Sequence, residues 1–376
     1  QLLKMLPRHE FEKLANARDG RRRSDALSRW SQFVALSVGH LGGRSSLRDI
    51  EATFHTQPRQ RYHLGSQGVS RSALGRANEQ LDYGFYESLF ATLYERCTCH
   101  APRHGFRFKG KLFSLDGSLI DLSMKLFPWA DYNRKKAAFK LHVGLDHDGL
   151  VPAFATITSG KASEMKQARQ WQFPKGSVLV FDKGYNSYAW HNSLSEQGLI
   201  WVTRIRGNAL YRVIERRPVA HDSPVTSDQV IEYTGKKARE DGLPPIRRIG
   251  FREPATGKHY VFITNQFKWS AQTIADIYQQ RWQVELFFKW IKQNLKIKAF
   301  LGISQNAVMT QVLVALCLYL LLAYLKFQSR ISKSLQQILR LLQTNLFIRR
   351  PLLELLKPIQ PQPPPQPQLR LGLVRN

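Results

Sequence analysis

Two short runs of strand-forming residues in this chain each stop on an aspartate, and this constrains the fold more than any other feature. Lys111-Leu112-Phe113-Ser114-Leu115-Asp116 reads as a short strand ending at a carboxylate. Ser177-Val178-Leu179-Val180-Phe181-Asp182 is a largely apolar strand that ends the same way. Short apolar runs rich in β-branched and aromatic residues fit strands buried within a layered fold. Between them, residues 138–146 and 150–157 read as two more strands, with His147-Asp148-Gly149 as a hairpin turn. Residues 163–171 and 190–197 read as helices, and 199–204 as another buried strand.

The order is three strands in a meander, then helix, strand, helix, strand. It matches a ribonuclease-H-like sheet, an α/β layer architecture. Residues 206–266 interrupt that pattern with many β-formers, a Gly-Lys-Lys turn at 235–237 and a strand-like run at 260–264. They read as an inserted β-subdomain. A long helix is expected from Ser270 to about Lys296, followed by an apolar helix over 312–325. The expected organisation is an N-terminal helical DNA-binding domain (1–105) and a core in two parts (106–205 and 267–345) around the insert. A tail (346–376) follows, whose Pro- and Gln-rich stretch at 358–367 reads as extended.

Lys and Arg total 56 against 28 Asp and Glu in 376 residues, a net charge of +28. Such a field attracts a polyanion and releases its counterions, which points to nucleic acid. A basic structural protein is the competing reading, but such chains are usually shorter and poorer in aromatics. Three cysteines are too few for a disulfide framework and fit a reducing compartment. Cys97-Thr98-Cys99-His100 lacks a second ligand pair at zinc-like spacing and reads as structural. The apolar run at 312–325 falls short of the roughly 20 residues that cross a bilayer, so it reads as a core helix and no membrane role is expected. The first residues, from Gln1, show no signal-peptide pattern, and a bacterial cytoplasmic, nucleoid-associated location is expected.

Within the first hundred residues, Leu27, Trp30, Phe33, Val34, Val38 and Leu41 repeat at helical spacing up to Gly42-Gly43. Ser45-Ser46 can cap a short helix through Leu47, Ile50 and Phe54, and Ser70 can cap the next one after a turn at Gly65 to Gly68. Two short helices across a glycine-containing turn suggest a helix-turn-helix-like unit. In that reading Arg71, Ser72, Arg76 and Asn78 face DNA. An ordinary helical bundle with solvated basic faces is the alternative.

Strand ends on one edge of such a sheet converge, so Asp116, Asp182 and a helix-borne Glu285 can meet. Hard divalent ions prefer oxygen ligands, and Mg²⁺ suits a few carboxylates plus substrate phosphate. Two ions roughly 3.5–4 Å apart can activate a nucleophile and stabilise the leaving oxygen at a phosphodiester. The expected cofactor is therefore two Mg²⁺ or Mn²⁺ ions, with Asp116 bridging both. On the helix, Tyr278, Arg281, Glu285 and Lys292 stand at offsets of three, four and seven, near one face. Arg281 can fork two phosphate oxygens, Tyr278 can donate one bond and Lys292 can hold a neighbouring phosphate. The plain alternative is a surface helix with an i, i+4 ion pair. Trp282, Leu286, Phe287 and Trp290 are expected to pack into the core.

The spacing Tyr-x2-Arg-x3-Glu-x6-Lys over Tyr278, Arg281, Glu285 and Lys292 resembles the signature of bacterial DDE transposases of the cut-and-paste insertion-sequence group, the insertion sequence four family. Asp116-Gly117-Ser118 resembles that family's first-aspartate motif. Asp182-Lys183-Gly184-Tyr185 resembles the second, and Trp201-Val202-Thr203-Arg204 the strand that follows it. The resemblance covers nearly the whole chain except the Pro-rich tail. It implies catalytic, metal-binding roles for Asp116, Asp182 and Glu285. It further implies a homodimer on paired DNA ends, cleavage at a transposon end, a hairpin intermediate and joining to target DNA. Some members stack a flipped base on an aromatic residue, and Trp269 and Trp201 are candidates here.

Other acids fit less well. Asp121 is five residues beyond Asp116, so strand alternation aims it at the opposite face. Asp146 and Asp148 sit by a turn, where Asp serves the backbone. Glu164 is a minor candidate ligand, and His142 reads as structural. Two other functions stay open: a nuclease with the same sheet and no strand transfer, and an inactive transposase-derived DNA-binding protein.

Overall fold

The computed structural model describes residues 1–19, 26–133, 136–295, 297, 299–348 and 351–356. Lys296 and the tail at 358–367 lie outside them. The chain opens with helices α1 (Arg8–Asp19), α2 (Arg29–Leu41), α3 (Leu47–Thr56), α4 (Pro58–His63), α5 (Arg71–Gln80) and α6 (Gly84–Thr98). Caps set their starts. Ser28 accepts from the Ser31 amide, Ser70 from Ala73, and Ser46 forms a reciprocal capping box with Asp49. The glycine turn does not join α3 to α5, because α4 stands between α3 and that turn; it joins α4 to α5. Pro58 occupies its first turn, where the missing N–H costs nothing.

Strands follow: β1 (Leu112–Leu122), β2 (Asp131–Asn133), β3 (Lys136–Asp146) and β4 (Val151–Ser159). Then come α7 (Glu164–Ala168), β5 (Val178–Phe181), α8 (Tyr188–Glu196) and β6 (Ile200–Arg204). β3 pairs antiparallel with β1 and β4, while β1, β5 and β6 run parallel. This mixed α/β arrangement is consistent with a ribonuclease-H-like core. One sheet of ten strands holds them in the order β2-β3-β1-β5-β6, with β4 beside β3.

Residues 206–266 do not form a sheet of their own. They supply β7 (Tyr211–Arg217), β8 (Val225–Tyr233), the short helix α9 (Lys236–Glu240) at the expected Gly-Lys-Lys turn, β9 (Ile246–Arg252) and β10 (His259–Thr264). β10 pairs with β6, and the sheet continues as β10-β9-β8-β7. The open edge of β6 accounts for this: its unpaired N–H and C=O groups are satisfied by adding a strand. The buried pair Arg247–Asp228, at 2.6 Å, ties β9 to β8.

The remaining helices are α10 (Ala271–Gln279), α11 (Trp282–Asn294), α12 (Gln305–Gln328), α13 (Leu335–Thr344) and α14 (Leu352–Leu356). α12 is longer than the 312–325 run, and by length and composition it passes for a membrane span, but 94% of its apolar window is buried inside the protein. A helix apolar all round belongs in a core. It packs against α2, α5, α6 and β4, so the N-terminal helices share one core with it.

A buried polar chain crosses that core. Tyr86 Oη donates to Gln32 Oε1 (3.1 Å), Gln32 Nε2 donates to Asn78 Oδ1 (2.9 Å), and Asn306 Nδ2 donates to the Asn78 carbonyl (2.7 Å). Asn78 is only 2% exposed, so it cannot face DNA; it is a core residue that joins α5 to α2 and α12. Replacing Gln32 by Leu would leave Asn78 Oδ1 without its donor and the Tyr86 hydroxyl without its acceptor. We expect Gln32→Leu to lower the unfolding free energy by about 2–4 kcal/mol in urea titrations, since each buried group left unsatisfied costs roughly 1–3 kcal/mol.

Candidate active site

Register, not proximity in sequence, brings Asp116 and Asp182 together. The last paired residues of β1 and β5 are Leu115 and Phe181. The next residue on each strand is the aspartate, so the two carboxylates leave the sheet side by side. Adjacent strands lie about 4.8 Å apart. Alternation fixes the face. Leu112, Val178 and Val180 point into the core under α10, whereas Phe113, Leu115, Leu179 and Phe181 point into the opposite one, under α8. The aspartates share the α10 face. Asp116 is not at a strand end as expected: β1 runs on to Leu122, paired with β3, and Asp116 stands opposite Val143 where β1 outruns β5.

The expected long helix is two helices. α10 ends at Gln279 and α11 starts at Trp282, with a tightened turn between them. The Arg281 amide bonds the Tyr278 carbonyl (3.0 Å) and the Gln283 amide bonds the Gln280 carbonyl (3.0 Å), the three-residue spacing of a 3₁₀ turn. Arg281 sits in this turn and spans two carboxylates. Its Nη2 donates to Glu285 Oε1 at 2.5 Å, and its Nη1 lies 3.6 Å from Asp116 Oδ2. Tyr278 Oη donates to Asp182 Oδ1 at 3.4 Å. Lys292 Nζ donates to Ser118 Oγ (2.6 Å) and the Leu119 carbonyl (3.0 Å), further along β1. All four residues of the helical stripe thus face β1 and β5 despite the break.

Sequence reasoning missed Arg204 as a site residue. Its Nη2 donates to Asp182 Oδ1 at 2.7 Å. The signal was available: β5 and β6 pair Val180 with Val202, which puts residue 204 beside residue 182. Glu164 lies against Gly117, where an added Cβ would stand 2.9 Å from its Cγ, and it pairs with Lys140 at 3.2 Å. Asp121 is exposed, as alternation requires. Asp146 is fully buried and accepts from Tyr94 Oη and Lys111 Nζ, with the Asp148 amide as the turn contact. His142 is buried and bonds Thr158 Oγ1 at 2.8 Å.

Several aromatic expectations change. Trp201 is 1% exposed, stacks on His191 at 4.4 Å and cannot receive a base. Trp269 is partly covered and stacks on Phe108 at 4.6 Å. Phe287 is buried, but Trp282 is 54% and Leu286 41% exposed, one helical turn apart on the outer side of α11. Arg71, Ser72 and Arg76 are exposed on α5, unlike Asn78.

The two aspartates differ electrostatically. Burial pushes Asp116 up to about 6; the Gly117 amide and Arg281 pull it down, while Glu164 and Glu285 push it further up. Burial also raises Asp182, but the hydrogen bond and charge of Arg204, with the Lys183 amide and Arg281, outweigh it and hold this carboxyl below the usual range. Arg204 and Arg281 each keep a buried Nε–H with no acceptor. The site therefore has unused donors and one under-compensated carboxylate. As the side chains lie, no group of three or more Asp, Glu, His or Cys among the described residues stands ready to hold one ion. The guanidinium of Arg281 spans Asp116 and Glu285. The donor set is nonetheless all hard oxygen, and the charge of Asp116 is only partly offset by Arg281, which fits Mg²⁺ or Mn²⁺ once Arg281 turns aside.

A carboxyl whose folded pKa is raised destabilises the native state when it ionises. For Asp116 this penalty grows as pH rises from 3.8 through about 6 and is complete above that. Asp116→Asn removes it. In metal-free buffer near neutral pH the variant should be more stable by on the order of 2–3 kcal/mol, and at about pH 4 the gain should vanish. Urea unfolding at the two pH values measures both.

Comparisons with known proteins give the family of the chain. The profile described as Transposase DDE domain matches residues 107–321, which hold all three acids, and a domain of unknown function (DUF4372) matches residues 1–67. A protein named as a transposase (y4zB) in Sinorhizobium fredii is 32% identical over 281 residues, 73% of this chain and 76% of that one. A transposase named for insertion sequence element IS5377 of Geobacillus stearothermophilus is 28% identical over 260 residues, 69% of this chain and 68% of its own. Among solved structures, the piggyBac transposase synaptic complex with hairpin DNA aligns with 96% of this chain and 85% of that chain at a TM-score of 0.47 and 10% identity, too slight a likeness to bear on the fold. With the matched domain covering more than half of its length, this chain belongs to the DDE transposases, of the insertion-sequence type.

Proposed function

We propose that this protein binds the terminal inverted repeats of a transposable element and catalyses DNA strand cleavage and strand transfer at Asp116, Asp182 and Glu285. The register-adjacent aspartates, with Glu285 tied to Asp116 through Arg281, carry the proposal. The three carboxylates would hold two Mg²⁺ or Mn²⁺ ions, which activate the attacking oxygen and stabilise the leaving oxygen of a phosphodiester. Asp116, beside Asp182 by register and tied to Glu285 through Arg281, would be the ligand common to both ions.

The other side chains bind and orient the DNA. Arg281 and Arg204 turn their unused N–H groups to phosphate oxygens; a guanidinium suits this fork geometry better than an ammonium. Tyr278, its hydroxyl pushed up to about 12 mainly by burial, stays neutral and donates. Lys292, braced on Ser118, meets a neighbouring phosphate. The Tyr-Arg-Glu-Lys spacing favours the insertion sequence four family, and with it cut-and-paste transposition through a hairpin end by a homodimer on paired ends. A hairpin must unstack a base, and the exposed Trp282, next to Arg281, offers an aromatic face for it. Arg71, Ser72 and Arg76 on α5 are the proposed DNA-reading residues of the N-terminal helices. A bacterial cytoplasm, at the nucleoid, is where such a protein would act.

Asp116→Ala, Asp182→Ala and Glu285→Ala should each reduce Mg²⁺-dependent cleavage of the element's ends by roughly 10³-fold or more. The wild type should also join a pre-cut end to a target plasmid. Cleavage that survives any of the three substitutions would overturn the assignment. Cleavage with no joining of the pre-cut end would identify a nuclease instead.

A further inference from the structure

Among the described residues, the two non-glycine positions with a left-handed backbone, Leu150 (φ 56°) and Arg330 (φ 49°), line the same groove. The groove holds about 920 Å³ between the segment linking α6 to β1, the β3–β4 turn, the α10–α11 break and the end of α12. Arg330 follows the Ser329 cap of α12, and its amide bonds the Phe327 carbonyl while that of Ile331 bonds Lys326. Glycine normally takes this position, because side chains disfavour the conformation. An arginine here stores strain, and strain of this kind collects at functional sites.

The groove is basic. Arg103, Lys326 and Arg330 line it, and among the described residues no carboxylate pairs with any of them. Arg103 uses one N–H on the Lys109 carbonyl at 2.7 Å. One acid, Asp276, lines the wall and accepts from Gln272 at 2.7 Å. The floor is His147, which burial holds neutral, down to about 4. His147 Nε2 and Ser114 Oγ are 2.6 Å apart, and Ser114 stands two residues before Asp116 on the same face of β1. Gln280 also lines the groove, and the next residue is Arg281 on the carboxylates. The His147 amide bonds the Leu112 carbonyl, four residues before Asp116. Groove and site are thus separated by about 13 Å of strand, or about four base pairs of duplex at ~3.4 Å each.

We propose that this groove seats the sugar-phosphate backbone of duplex DNA, flanking the phosphate that Asp116 acts on, through Arg103, Lys326 and Arg330. This rests on the reading of the carboxylate site as one that acts on DNA. The test is equilibrium binding of a random-sequence duplex across a salt series in EDTA, so that it does not depend on catalysis. Simultaneous Arg103→Gln, Lys326→Gln and Arg330→Gln substitution should lower the slope of log K against log salt by about 2–3 and weaken binding at least tenfold at low salt. Arg330→Gly separates the role from stability: it should melt at or above the wild-type temperature, because glycine relieves the backbone, yet lose about one from the slope. Arg330→Lys should keep the slope. Unchanged slopes and affinities in the triple variant and in Arg330→Gly would overturn the groove. Variants that lose affinity as described, beside a wild type that binds but never cleaves with Mg²⁺ or Mn²⁺, would leave the groove standing and overturn the catalytic reading.

Discussion

The parallel pairing of β1 with β5 is the constraint on which the rest depends. Side chains alternate along a strand, so a slip of one residue would turn Asp116 away from Asp182 and exchange the two faces. Apolar residues on both faces forbid the slip: Leu112, Val178 and Val180 fill the core under α10, and Phe113, Leu115, Leu179 and Phe181 the opposite core. The site is thus built by burial. Two carboxylates that no local sequence pattern links are placed side by side by the hydrophobic residues before them.

This placement is unfavourable by itself, and the arginines offset it. Asp182 gains Arg204 and is held ionised, while Asp116 has the Gly117 amide at 2.8 Å and Arg281 at 3.6 Å, which do not offset its burial, and it remains raised to about 6. The imbalance has a functional meaning. A site already neutralised by its own side chains would gain little from cations, whereas this one keeps an acid under-compensated and two guanidinium N–H groups unpaired.

Much of this was legible in the sequence. Apart from the three-residue β2 and the part of β1 beyond Asp116, the strands from β1 to β6 follow from apolar runs bounded by turn residues, and the Ser46 and Ser70 caps from side chains that compete for backbone amides. The helical stripe of Tyr278, Arg281, Glu285 and Lys292 survives because a single 3₁₀ turn rotates it only slightly. What was not legible depends on contacts distant in sequence. Asn78 looked like a polar surface residue, but Gln32 and Asn306 draw it into the core from 46 and 228 residues away. Trp201 lies in the run 199–204, which already reads as a buried strand, and its two sheet neighbours, from segments before and after it, leave its ring no open face. That 206–266 extends the sheet follows from the pairing of β10 with β6, which no periodicity reveals.

The central claim is that Asp116, Asp182 and Glu285 form one cation site once Arg281 moves. A crystal structure with Mn²⁺ and a bound DNA end, with anomalous scattering collected for manganese, tests it most directly. The account predicts two anomalous peaks roughly 3.5–4 Å apart, with Asp116 touching both and Arg281 moved to phosphate. Peaks elsewhere, or an Arg281 still spanning Asp116 and Glu285 beside bound DNA and Mn²⁺, would contradict it.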